Sequence, residues 1–111
     1  DLIHMDSKKS YWNEMIIQIR NLSGPVWLSF DIDGLDGFLV PATGTPVPGG
    51  LSFWGANEII KELFSAKNTK VIGADVNEIS TSPNTNLTEF SAALITTKII
   101  ACHIMSQKNI D

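Results

Sequence analysis

"VWLSFDID", residues 26–33, is the stretch on which the fold turns. Its apolar side chains occupy both faces until the acids begin, the pattern of a strand buried in a parallel sheet, so a strand is predicted over 26–33. Side chains two apart on a strand share a face, which would point Asp31 and Asp33 the same way and Ile32 the other. Upstream, Tyr11, Trp12, Met15, Ile16 and Ile19 follow helical spacing over 7–20, with Ser7 or Ser10 as caps and Gly24-Pro25 as the stop. Downstream, five Gly and three Pro between 34 and 50 make that segment a loop, and so long a loop is uncommon unless functional. A second helix is predicted from Ser52 and a second buried strand over 70–76. After a turn at 80–86, Asn86 and Glu89 have capping-box spacing ahead of a last helix.

The order α-β-loop-α-β-α predicts α/β layering with a mainly parallel sheet, all of residues 1–111 belonging to one domain. Strands apolar on both faces need helices above and below them and more strands alongside. The chain also opens on Asp1 and not Met, so it is expected to be the C-terminal part of a larger domain.

Composition removes several classes of function. Lys plus Arg total 8 against 12 for Asp plus Glu, net charge -4, and no basic cluster would follow a phosphate backbone, so nucleic acid is not an expected partner. Cys102 is the only cysteine, which excludes a disulfide framework and suggests a buried thiol in a reducing compartment. Lys98 breaks the longest apolar run, 92–105, and no signal-peptide layout is present, so a cytoplasmic protein without a membrane span is expected.

Parallel strands end on a common edge, so Asp31, Asp33, Asp75 and Glu78 are expected to gather there. Unscreened, four carboxylates would repel; a hard divalent cation such as Mg, Mn or Ca would remove that cost. The alternative is solvated loop acids, and for Asp36 the favoured reading is a hydrogen bond to the turn after Gly34. An EF-hand is excluded because its fifth and sixth loop positions would be Leu35 and Asp36. "FDIDG" also looks like the first motif of Mg-dependent haloacid-dehalogenase-type phosphatases, but "LDGFLVPATGTP" does not continue it.

The full run "SFDIDGLDGFLVPATGTPVPGGL", residues 29–51, resembles the signature of the ureohydrolase family, which includes arginase and agmatinase. Ser29, Phe30, Asp31, Ile32, Asp33, Pro41, Ala42 and Gly50 fit it; Gly37 departs, where the family most often has Pro. "GADVNEIS", residues 73–80, resembles the family's later strand, and the resemblance runs from Ser29 to the C-terminus.

That resemblance implies a three-layer α/β/α fold and a hydrolase that releases urea from a guanidino substrate at a pair of Mn ions. Asp31 and Asp33 would be metal ligands with a direct part in catalysis. Glu78 would take the guanidinium, Thr45 would support that Glu, and Asp75 would stand one layer behind the ligands. "PATGTPV" looks more like arginases, so arginine, giving urea and ornithine, is the expected substrate; agmatine and other guanidino or formimino compounds are the alternatives. A homo-oligomer, trimer or hexamer, is implied too.

The family's other metal ligands and its shuttle His lie upstream of these motifs. His4 is given no role, and His103 is read as structural. The isolated 111 residues are therefore expected to be inactive, and a truncated non-catalytic product is the rival from another class. Trp12, Trp27 and Trp54 are read as core residues, Lys8-Lys9 as solvated surface, and Gly49-Gly50 as the turn into the second helix.

Overall fold

A computed structural model describes residues 2–44 and 46–108, excepting the side chains of residues 2–9 and 108. Thr45 and the side chains of His4, Lys8 and Lys9 lie outside the described residues. The elements are α1 (Leu2–Arg20), β1 (Gly24–Asp31), a short 3-10 turn (Ile32–Gly34), α2 (Phe53–Ser65), β2 (Thr69–Asn77) and α3 (Leu87–Lys108). The first helix thus begins earlier than the caps at Ser7 or Ser10 would place it.

β1 and β2 pair in parallel, from Gly24 opposite Thr69 to Asp31 opposite Asn77, with one irregularity between Val26 and Trp27. The crossover between them runs through α2, whose first turn is fixed as its sequence requires. Ser52 caps it, its hydroxyl accepting from Gly55 N–H at 2.9 Å. In α3 Asn86 stands at the expected cap position, its backbone oxygen accepting from Phe90 N–H at 3.0 Å. Thr85, one residue earlier, accepts from Leu87 N–H at 3.1 Å, and Glu89 Oε1 is buried with no hydrogen-bond partner.

Leu28 and Phe30 of β1 and Val76 of β2 pack toward α2 and α3. The opposite sheet face, with Trp27, Ser29 and Asp31, is exposed, so β1 alternates in burial where the sequence predicts two buried faces. Trp27 is 59% exposed and Trp54 78%, which corrects the reading of both as core residues. Trp12 is half-buried over Gly55 and donates its Nε1–H to Glu58 at 3.2 Å. α1 is further tied to α2 by Arg20, whose Nε and terminal nitrogen donate to the two oxygens of Glu62 at 2.7 and 2.8 Å. This bidentate pairing raises the Arg20 pKa and lowers that of Glu62.

The core joins three sources: Ala56 and Ile60 from α2, Ala92, Ile95 and Ile99 from α3, and Ile32, Leu35 and Val40 from the turn and loop after β1. Cys102 is only half-buried at its edge. By length and composition α3 could cross a membrane, a property its sequence was expected to lack because of Lys98. Its buried Ala92, Ile95 and Ile99 make it a core helix here.

Candidate active site

β1 stops at Asp31, and Asp33 belongs to the 3-10 turn that follows. The two aspartates therefore do not share one strand face, contrary to the strand predicted over 26–33. Ile32 would face the core on a continuing strand as Leu28 and Phe30 do, but Leu35 would fall on the open face; both are fully buried, which the turn after Asp31 allows. Apolar anchoring thus sets the turn that presents the acids, Asp31 exposed and Asp33 half-buried.

The loop from Gly34 to Leu51 is closed at its neck. Asp36 N–H donates to Leu51 O and Leu51 N–H to Gly34 O, both at 2.9 Å. Gly50 permits this closeness, since a Cβ there would lie 2.7 Å from the Leu35 backbone. Asp36 works inside the loop, as its sequence reading holds: Oδ1 accepts from Phe38 N–H at 3.0 Å and Oδ2 from Gly49 N–H at 2.9 Å. Gly37 N–H donates to Val47 O at 2.8 Å, a bond that Pro, with no N–H, could not make.

The middle of the loop is tied to α3 and to the end of β2. Ala42 N–H donates to the buried Thr88 hydroxyl at 2.9 Å, and Ser91 Oγ–H donates to Leu39 O at 2.7 Å. Thr43, itself buried, donates its hydroxyl to the backbone oxygen of Glu78 at 3.0 Å. Glu78 has φ 66°, the left-handed region, which costs a residue with a Cβ about 1 kcal/mol. Its side chain is exposed beyond Asn77, the partner of Asp31 in the strand register.

Asp75 lies on the open sheet face opposite Ser29. Its carboxylate accepts from Trp27 Nε1–H at 2.6 Å, from Ser29 Oγ–H at 2.8 Å and from the Asn77 side-chain amide. These donors, Trp27 first, hold its pKa below the usual aspartate range. A carboxylate with a depressed folded pKa adds stability above its unfolded value and loses it as pH falls through the folded one. Trp27→Phe is predicted to move the Asp75 midpoint upward, as read by NMR titration of its side-chain carboxyl carbon. An unchanged midpoint would contradict the role given to the indole. Nothing in the sequence around Asp75 names Trp27 and Ser29 as its partners, although both precede Asp31 at the alternation that marks one sheet face.

The strand ends thus place Asp31 and Glu78 at one edge, but the expected convergence of four carboxylates is not found. Among the described residues no group of three or more His, Cys, Asp or Glu could hold a metal ion. Asp75 is taken up by its three donors on the sheet face, and Asp33 has left the strand. Oxygen donors such as Asp31 and Asp33 suit a hard cation in kind, while two are too few to enclose one. His103 is exposed on α3, with its ring edge-on to Phe64 at 6.4 Å. A cavity of about 690 Å³ opens at the other end of β2, lined by Lys61, Lys67, Lys70 and Lys98 over Phe64 and Val71. It is remote from the carboxylates.

Residues 2–105 match the family model described as "Arginase family". An agmatinase of Pyrococcus horikoshii is 44% identical over 75 residues, covering 68% of this chain and 26% of that protein. Arginase-1 of Sus scrofa is 48% identical over 58 residues, 52% of this chain and 17% of that one. Among solved structures, the agmatine ureohydrolase of Thermoplasma volcanium superposes with a TM-score of 0.74 at 30% identity, covering 95% of this chain and 34% of that chain. The chain spans about a third or less of the length of these proteins. The α/β fold with parallel strands is common to them.

Proposed function

The chain belongs to the arginase family, and from that premise we propose that the complete protein hydrolyses a guanidino group and releases urea. One observation supports this above the others: Asp31 and Glu78 stand at the carboxyl ends of adjacent parallel strands, both exposed, with Asp33 on the turn between strand and loop. The family match over most of the chain sets aside the phosphatase alternative.

In this reading Asp31 and Asp33 supply two of the ligands of a Mn pair, and the remaining ligands come from outside these residues. When bound, such a pair supplies a water acidic enough to act as nucleophile near neutral pH. Glu78 accepts N–H bonds from the guanidinium, whose planar fork matches a carboxylate, and so fixes the reacting carbon relative to the two aspartates. Asp75, its carboxylate held by three donors, keeps the sheet face beneath Asp31 in one arrangement. A cytoplasmic homo-oligomer completes the proposal.

Arginine is the proposed substrate, on the "PATGTPV" wording of the loop, with ornithine as the second product. Agmatine is the second reading, favoured by the similarity to agmatinases. The test is urea release by the complete protein, loaded with Mn, from each compound in turn. A kcat/KM higher by about tenfold or more for arginine, 1.4 kcal/mol in discrimination, supports the first reading. The reverse ratio supports the second, and no urea from either sinks both.

A further inference from the structure

We infer that Thr43 is a positioning residue for substrate recognition, its buried hydroxyl fixing the backbone of Glu78 so that the Glu78 carboxylate is held ready for the guanidinium. The inference rests on the proposed role of Glu78 and adds to it the group that aims it.

Glu78 is the residue with a Cβ and a positive φ, 66°, among those described. A left-handed conformation at such a residue persists only where its surroundings impose it. Among the described residues, the Thr43 hydroxyl restrains its peptide, donating to Glu78 O at 3.0 Å across 35 residues of sequence. Thr43 is itself held firmly. It is 5% exposed, its N–H donates to Val40 O at 3.2 Å, and Val40 is fully buried in the core. Neighbouring Ala42 and Leu39 are bonded to Thr88 and Ser91 of α3.

A rigid line therefore runs from the core through Val40 and Thr43 to the one peptide whose conformation decides where the Glu78 side chain leaves the backbone. Released from Thr43, that peptide relaxes toward negative φ and the carboxylate swings away from the strand end that carries Asp31. Thr43 is too buried to act by touching substrate, so its influence must pass through Glu78.

The experiment compares Thr43→Val, which keeps the shape and removes the donor, with Thr43→Ser, which keeps the hydroxyl, in the complete Mn-loaded protein. KM and kcat are measured for arginine and agmatine, and Glu78→Gln is the reference. Thr43→Val is expected to raise KM for the better substrate about five- to tenfold, the range of one net hydrogen bond, with kcat within about twofold. Thr43→Ser is expected to stay within about twofold of the parent in both. A lower kcat at unchanged KM would mean lost folded fraction and would overturn the inference, as would equal losses in the Ser and Val variants.

Should Thr43→Val fail to fold, Thr43→Ala, which leaves room for water at the freed carbonyl, carries the same comparison. If Glu78→Gln lowers kcat/KM steeply while the Thr43 variants leave KM unchanged, this inference alone fails. If Glu78→Gln changes nothing, the substrate role of Glu78 fails with it.

Discussion

Asp31→Ala in the complete protein is expected to lower kcat/KM for the guanidino substrate by more than about 100-fold. Removing a group that merely orients a metal ligand costs about 10- to 100-fold in affinity or activity, and Asp31 is proposed as a ligand itself. The loss is expected to be functional and not structural. Asp31 is exposed, and its place at the strand end is set by Ile32 and Leu35, whose side chains carry the burial. With metal removed from both parent and variant, stability should therefore differ by no more than about 0.5 kcal/mol, as for other surface sites. Metal content by elemental analysis should fall together with activity. A variant that retains both its Mn and its urea release would refute the ligand role. Asp33→Ala is expected to show the same loss of metal and activity.

The second large effect concerns stability. Ile95→Ala should destabilise the complete protein by about 2–5 kcal/mol, because Ile95 is fully buried where the loop, α2 and α3 meet. Its chain neighbour Leu94 is 51% exposed, and Leu94→Ala should cost about 0.5 kcal/mol or less. Urea unfolding of both variants gives the comparison. Equal costs would contradict the arrangement of the core. Since Ile32, Leu35 and Val40 share that cluster, Ile95→Ala is also expected to loosen the turn that carries Asp33.

Features that depend on local chemistry were legible in the amino-acid sequence. The alternation of helix and strand, the start of the second helix at Ser52 and the use of Asp36 inside its loop are set within a few residues, and each is found. The family signature was legible too, because "SFDIDGLDG" and "GADVNEIS" carry it as words. Features that depend on distant partners were not. The sequence shows Val26 to Asp33 as one apolar-to-acidic run, and only the core beneath it shows that Leu35, which a continuing strand would turn outward, is buried and that the strand ends at Asp31. Apolar spacing marks Trp27 and Trp54 as core residues, but whether anything covers a given face is decided by the tertiary arrangement. Thr45, the loop hydroxyl its sequence singles out, lies outside the described residues, and the bond from Thr43 to the Glu78 backbone depends on how the loop is threaded.

The parallel pairing of β1 with β2 also has a kinetic consequence. Ser29 and Asp75, bonded across the sheet, are 46 residues apart in the chain, and a parallel pair cannot be nucleated by a short turn. Closing so large a loop spends chain entropy before any contact returns it, so non-local topologies fold slowly. α2 can form early from its own cap and spacing, and it then shortens the search by bridging the crossover. The edge that brings Asp31 beside Glu78 therefore forms only once the crossover has closed. Until then the aspartates, synthesised first, wait without the carboxylate with which they are proposed to act.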